Sequence, residues 1–175
     1  MHAAEQLVDA EGWDQLSMAG LAAALGVKVP SLYNHLDSLD ALRGELQVRT
    51  MEELGRAFAV EAMGRTGPDG LVAMAKVHRA FARQHPHRYQ GAMRQPFDRE
   101  AFFRASTFAN EALLAVLRSY DMEHAAALET ELAMFSCLHG FVVLESAGFF
   151  TDIIDADVLF KIVLDAAVRM VEEAA

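Results

Sequence analysis

Cysteine is nearly missing from this chain. Cys137 stands alone among 175 residues, so no internal disulfide can form and no paired-cysteine metal framework exists. Such sparing use suits a reducing compartment. Proline and glycine are also scarce, at four and eleven, which argues against an all-β chain with its many tight turns. No unbroken apolar run approaches the ~20 residues that span a bilayer. The most apolar stretches, such as Phe-Val-Val-Leu at 141–144, are far shorter. The opening Met1-His2-Ala3-Ala4-Glu5 lacks the basic-then-apolar order of a signal peptide. A soluble, cytoplasmic protein with no membrane partner is expected. Basic residues are the minority, 15 against 25 acidic, and the net charge of −10 excludes a uniformly basic nucleic-acid coat.

What is abundant is helix-forming. Hydrophobic residues make up 53% and charged residues 23%, too apolar for a disordered acidic tail. Ala, Leu, Glu and Arg dominate, a composition that predicts an all-α fold of about nine helices. Residues 1–11 place Leu7 and Val8 between acidic positions, and Gly12 ends the stretch. Trp13, Leu16, Leu21 and Leu25 then recur around Ala22-Ala23-Ala24. Ser17 can accept a free backbone N–H of the first turn as N-cap of 18–25, and Gly26 stands where a left-handed C-cap belongs. A second short helix begins near Pro30 and runs through Ser31-Leu32-Tyr33-Asn34-His35-Leu36. Asp37 or Ser38 caps a longer helix with Leu42, Leu46, Met51, Leu54 and Phe58 close to one face, until Gly64, Gly67 and Pro68 break it. Five more helices are predicted, at 69–84, around 89–93, and at about 98–119, 122–148 and 153–173. No period-two strand, repeat or low-complexity linker interrupts them.

Charge is spread unevenly. Residues 1–50 carry three basic and seven acidic side chains, and residues 105–175 carry three and twelve. Most arginines lie in the middle third.

The stretch 16–36 is the most informative. Two short helices joined by Leu25-Gly26-Val27 make a compact angular pair, closed by apolar contacts expected from Leu21, Ala22, Leu25, Val27 and Leu32. The second helix would then expose Lys28, Val29, Ser31, Tyr33, Asn34 and His35. A helix fits the major groove of DNA with its first residues toward base edges. Asn34 has the donor and acceptor pair that reads adenine, Lys28 can meet guanine or a phosphate, and Ser31, Tyr33 and His35 are suitable phosphate donors. Tyr33 packing between helices and His35 filling a gap are the structural alternatives.

These residues resemble the TetR/AcrR family of bacterial transcription repressors. The resemblance runs from Ala3-Ala4-Glu5-Gln6-Leu7-Val8-Asp9-Ala10-Glu11-Gly12-Trp13 through Leu16-Ser17-Met18 and Leu21-Ala22-Ala23-Ala24-Leu25-Gly26-Val27. It ends with Ser31-Leu32-Tyr33-Asn34-His35-Leu36 and Leu39-Asp40-Ala41-Leu42. It implies a helix-turn-helix domain over 1–45 and a ligand-binding and dimerisation domain over 46–175. It places Lys28, Val29, Pro30, Ser31, Tyr33, Asn34 and His35 on the recognition helix and its lead-in turn, with Ser17 and Met18 beside phosphate. Two features depart from the family. Leu39, between Asp37 and Asp40, stands where members usually carry a phosphate-binding lysine, and the chain starts almost inside the first helix, without a basic arm. Phosphate contact supplies much of DNA affinity, so the acidic head keeps a second reading open: a dimeric small-molecule or protein-binding module that has lost DNA recognition.

Farther on, Cys137-Leu138-His139-Gly140 resembles the Trp-His-Gly motif of one TetR subclass, with Leu138 for the Trp. His85-Pro86-His87-Arg88-Tyr89 resembles that subclass's His-Pro-Gly-Arg-Tyr segment. This implies that the last two long helices pair across a homodimer through Phe141, Val142, Leu144, Ala147, Leu159, Ile162, Val163, Ala166 and Met170. A twofold dimer presents two reading heads to a pseudo-palindromic, double-stranded operator. A pocket for a small apolar or amphipathic effector is implied as well, with Phe81, Tyr89, Met93, Phe97, Phe102, Phe103, Phe135 and His139 as candidate lining. The alternative for each is plain core, and His139 is read first as a hydrogen-bonded packing residue. The histidines are dispersed without HExxH spacing and no Gly-rich phosphate loop or nucleophile elbow occurs, so neither a metal, a cofactor nor enzyme activity is expected. Cys137 is expected to be a small buried hydrophobe.

Overall fold

A computed structural model describes all residues 1–175. Nine α-helices and no strand make up the chain: α1 (His2–Glu11), α2 (Met18–Leu25), α3 (Val29–Leu32), α4 (Leu39–Ala62), α5 (Gly67–Gln84), α6 (Pro86–Ala92), α7 (Arg99–Leu117), α8 (His124–Ser146) and α9 (Ala156–Ala174). Single 3-10 turns sit at Trp13–Gln15 and Arg118–Tyr120. The all-α expectation and its helix count hold.

The helices fall into two compact units. The first contains residues 1–53 and 85–106, and the second contains 54–84 and 107–175. In the first unit, Ala4, Val8, Trp13, Leu16, Met18, Leu21, Ala22, Leu32, Leu42 and Leu46 form one apolar cluster. Residues 4 and 8 lie one turn apart on one face of α1, and 42 and 46 do the same on α4, so each helix contributes a stripe. Three polar devices fasten this unit. The side chain of Gln47 is fully buried. It donates to the carbonyl of Gly91 at 3.0 Å and accepts the N–H of Phe97 at 3.0 Å. Arg88, also buried, reaches Asp9 at 3.0 Å and Glu53 at 2.8 Å. Arg94 grips Asp14 with two hydrogen bonds of 2.5 and 2.8 Å. Charged donors fixed by fork geometry are among the stronger hydrogen bonds, and here they tie α6 and the segment after it to α1 and the following turn.

In the second unit, α8 packs against α5 and α9. Gly70 makes room for Val116: a Cβ on this glycine would lie 2.7 Å from a Val116 methyl. Arg79 is buried between helices, with its guanidinium 4.6 Å from the centre of the Phe160 ring and 5.4 Å from that of Phe141. Its charge is met by Glu145 at 2.5 Å and Asp157 at 2.7 Å. A buried cation needs such partners, because an unmatched charge in a low-dielectric interior is costly. Helix α8 is long and apolar enough to cross a membrane by length and composition alone, a point hidden from a search for unbroken apolar runs. Met134, Leu138, Phe141 and Val142 on that helix are buried within the unit.

Candidate nucleic-acid interface and effector body

Local sequence builds the reading head. Ser17 Oγ accepts the N–H of Gly20 at 3.1 Å and so caps α2. Gly26 adopts the left-handed conformation (φ 67°), a backbone state that disfavours side chains, and its N–H closes on Ala23. The chain then turns through an extended Lys28 into α3, with Pro30 in the first turn. Leu32 is buried and anchors this short helix. Around it Lys28, Pro30, Ser31, Tyr33, Asn34 and His35 are exposed and Val29 is half-buried.

Three details differ from the sequence reading. Helix α3 ends at Leu32, and Tyr33, Asn34 and His35 form a hydrogen-bonded turn, with the His35 and Leu36 N–H groups both donating to the Leu32 carbonyl. Asn and His are poor helix propagators, so a single anchored turn is not extended. Leu25 and Val27 are exposed at 50% and 44% rather than closing the helix crossing, which Leu21, Ala22 and Leu32 fill. Met18 is buried, so its side chain faces the core and only its main-chain N–H is left for an anion. Ser38, of the two residues considered, caps α4 by accepting the Ala41 N–H at 3.0 Å.

Electrostatics favour this face more than composition suggests. Of the acids in the first 50 residues, Glu5 pairs with Arg49 at 2.7 Å, Asp9 with Arg88, Asp14 with Arg94, and Asp40 lies 3.8 Å from Arg43. Arg94 holds the Asp14 carboxyl below the usual carboxylate range through its hydrogen bond. Burial alone would raise Glu5, but the hydrogen bond and charge of Arg49 bring it down. Residues 28–36 contain one cation, Lys28, and no acid. The negative charge of the head therefore lies beside the reading segment rather than in it. The arginines of 85–106 that neutralise part of it could not be assigned to this unit from sequence.

The expected effector residues divide between the units. Tyr89, Met93, Phe97, Phe102 and Phe103 belong to the first, and Phe81, Phe135 and His139 to the second. Tyr89 is buried, and burial pushes its phenol upward. Within the second unit the rings form a column. Phe135 stacks on His78 (5.4 Å, 5°) and on His139 (5.7 Å, 9°), and Phe58 meets His78 edge-on at 6.0 Å. His78 and Phe58 were not candidates in the sequence. The signal for His78 was its spacing after Leu71 and Met74 on the buried stripe of α5. Glu131 lies one turn before Phe135 on α8, and burial raises its carboxyl to about 7. Half-protonated near neutrality, it can donate or accept a hydrogen bond, as a site for an amphipathic molecule requires.

His78 gives a pH prediction. Burial first, then the nearby His139, lowers its pKa from 6.5 to about 3. The unfolded chain thus takes up a proton that the folded one refuses, and this contribution to stability is complete above pH 6.5 and lost as pH falls toward 3. From about pH 7 to about pH 5 the loss is about 2 kcal/mol. Glu131 acts in the opposite sense over this window, because its protonated form is favoured by folding. Comparing urea unfolding of the native chain and His78→Phe at both pH values cancels Glu131 and isolates the histidine. Equal acid sensitivity of the two proteins would refute a neutral, buried His78.

The expected dimer residues also separate. Leu144, Ala147, Ile162 and Ala166 are exposed, Leu159, Val163 and Met170 are half-buried, and Phe141 and Val142 are core. Phe141 faces inward because it packs on Phe150, Phe160 and Arg79. Leu132, Val143 and Val158 are further exposed apolar residues on the same two helices. Cys137 is exposed, not buried: it points away from the inward stripe of Met134, Leu138 and Phe141.

This architecture, a capped helix-turn-helix followed by an all-helical body, defines a helix-turn-helix transcriptional regulator. Residues 1–46 match the profile of the bacterial regulatory proteins of the tetR family, and residues 71–167 match the tetracyclin repressor-like C-terminal domain. The chain belongs to the TetR family and is a DNA-binding transcriptional regulator. It is 39% identical over 155 residues to Rv0681 of Mycobacterium tuberculosis, named an uncharacterized HTH-type transcriptional regulator, covering 87% of this chain and 71% of that one. It is 29% identical over 142 residues to YobS of Bacillus subtilis, named likewise, covering 81% and 74%. Its fold is that of a TetR variant from Acinetobacter baumannii solved in complex with minocycline, with a TM-score of 0.75 at 20% identity over 98% of this chain and 93% of the other.

Proposed function

We infer that this regulator is a cytoplasmic, ligand-responsive repressor that grips a pseudo-palindromic operator as a homodimer. The observation that carries this reading is the exposed, acid-free segment 28–35, anchored by buried Leu32 and half-buried Val29. In it Asn34 reads a base edge, and Lys28, Ser31, Tyr33 and His35 hold phosphates, with Ser17 and the Met18 N–H adding contacts at the start of α2. The exposed apolar residues of α8 and α9, Leu132, Leu144, Val158 and Ile162 among them, support pairing with a second copy, since a monomer gains nothing by leaving such a stripe in water. The ring column of Phe58, His78, Phe135 and His139, with Glu131 beside it, supports an effector that is flat, apolar and carries a hydrogen-bonding group. The Acinetobacter protein of the same fold holds a small organic molecule, minocycline, which supports a small-molecule effector. An effector releases DNA by binding one dimer geometry better than another, and only to the extent of that difference. No cofactor or catalytic step is needed.

Salt dependence tests the reading. A duplex covering the native DNA upstream of the coding region is titrated in fluorescence anisotropy. Neutralising about two phosphates per dimer, one at each Lys28, makes affinity fall about tenfold between about 50 and about 200 mM salt. A weak, flat response would instead favour a module that has lost DNA recognition, the reading that the acidic head and Leu39 also allow.

The dimer is checked separately. Ile162 is 55% exposed, so Ile162→Glu leaves the protomer folded. A buried, unpaired carboxylate at an apolar interface is strongly unfavourable, and sedimentation shifts from dimer to monomer. An unchanged mass would move the interface off α9.

A further inference from the structure

Within the first unit, a groove of about 540 Å³ opens between the first turns of α4 and α7. That lies in the range of small-molecule sites, about 300–1,000 Å³. Its floor is Gly44, Val48, Phe97 and Ala101, and its rim carries the carboxylates of Asp40, Glu45 and Asp98. No basic residue lines it.

The groove is pre-formed. Phe97 is 45% exposed, and its backbone is fixed by the hydrogen bond to buried Gln47. Asp98 accepts the N–H of Ala101 at 2.9 Å, which holds its carboxylate at the start of α7. Gly44 keeps the floor low: a Cβ there would stand 3.4 Å from the Phe97 Cβ. The Phe97 ring already attracts positive charge, since the guanidinium of Arg43 lies 6.0 Å from its centre. Arg43 already stands near Asp40, so the apolar floor, the π face and the carboxylates of Glu45 and Asp98 are what select a ligand, and they select one kind of molecule. An anion is repelled, a neutral compound leaves the rim unanswered, and a hydrated metal ion gains nothing from the floor.

We propose that this groove is a binding site for a small organic cation carrying an apolar body. The site shares no residue with the ring column of the second unit and does not rest on the effector reading. It gives the unit that holds the reading head a ligand of its own.

Isothermal titration of the full chain with benzyltrimethylammonium tests the site. Saturable binding of one probe per chain is expected, with phenylacetate and benzyl alcohol bound far more weakly and Mg²⁺ unable to compete. The paired change Glu45→Gln and Asp98→Asn removes charge at constant shape, and Asn still caps a helix. It weakens binding about tenfold, and Phe97→Leu does the same by removing the π face. Should Phe97→Leu fail to fold, the Gln and Asn pair decides alone. No saturable binding, equal binding of the neutral analogue, displacement by Mg²⁺, or full affinity in the groove variants overturns the proposal. The last outcome would place the cation elsewhere on the chain.

Discussion

Gly91→Ala unseats Trp13 and lowers the stability of the chain by about 3 kcal/mol or more. Gly91 lies inside α6, where alanine would ordinarily help a helix by about 1 kcal/mol. Here the added methyl has no room. A Cβ at this position would sit 2.0 Å from Trp13 Cε3 and 2.1 Å from Cδ2, against the body of an indole that is 2% exposed. The ring cannot step aside within a close-packed interior, so it must leave its place or push α6 away. Moving α6 also strains the Gln47 hydrogen bond to the Gly91 carbonyl. Urea unfolding gives the sign directly, because propensity and sterics point in opposite directions. A midpoint at or above that of the native chain would show that the indole does not lie over Gly91. Adding Trp13→Phe to Gly91→Ala restores part of the loss, since a smaller ring leaves space for the methyl and two touching residues do not act additively.

That contact also shows where reading the sequence stops. Local signals were fully legible. Ser17 and Gly26 needed only their neighbours to be recognised as caps, and Leu42 and Leu46 needed only helical spacing. The reading segment was legible as a set of exposed polar residues, though its helix is one turn shorter, because nothing in Tyr-Asn-His sustains a helix past Leu32. What sequence could not show is which distant segments share a core. Residues 85–106 carry Arg88, Arg94 and Gly91, and each acts on a partner more than 70 residues away: Asp9, Asp14 and Trp13. Their aromatic residues therefore read as lining for a C-terminal pocket, whereas Tyr89, Met93, Phe97, Phe102 and Phe103 join the first unit. The same limit applies on α8. Its residues are apolar almost all round, so periodicity could not tell the inward Phe141 and Val142 from the outward Leu144. The spacing of His78 after Leu71 and Met74 marks it as part of the buried stripe of α5, but only its stack with Phe135 gives it a place beside the effector residues.

Replacing Tyr33, Asn34 and His35 together with alanine abolishes operator binding while leaving the protein folded. All three are exposed, and Tyr33 retains 53% of its surface, so stability changes by no more than about 0.5 kcal/mol. The loss in affinity is far larger. A base contact is worth about 1–3 kcal/mol, and a dimer loses every contact twice. Single substitutions separate the roles. Asn34→Ala brings the affinities for matched and mismatched duplexes together, because it removes the donor and acceptor pair proposed to read a base edge. Tyr33→Ala and His35→Ala weaken all duplexes alike and leave the salt slope unchanged, since neither side chain displaces a counterion when neutral. Lys28→Ala flattens that slope by about one phosphate per head. Gel shifts over a salt series distinguish these patterns. Native affinity in the triple variant would mean that DNA is held by another surface, and the acidic head would then be what it first resembled in composition, a poor partner for a polyanion.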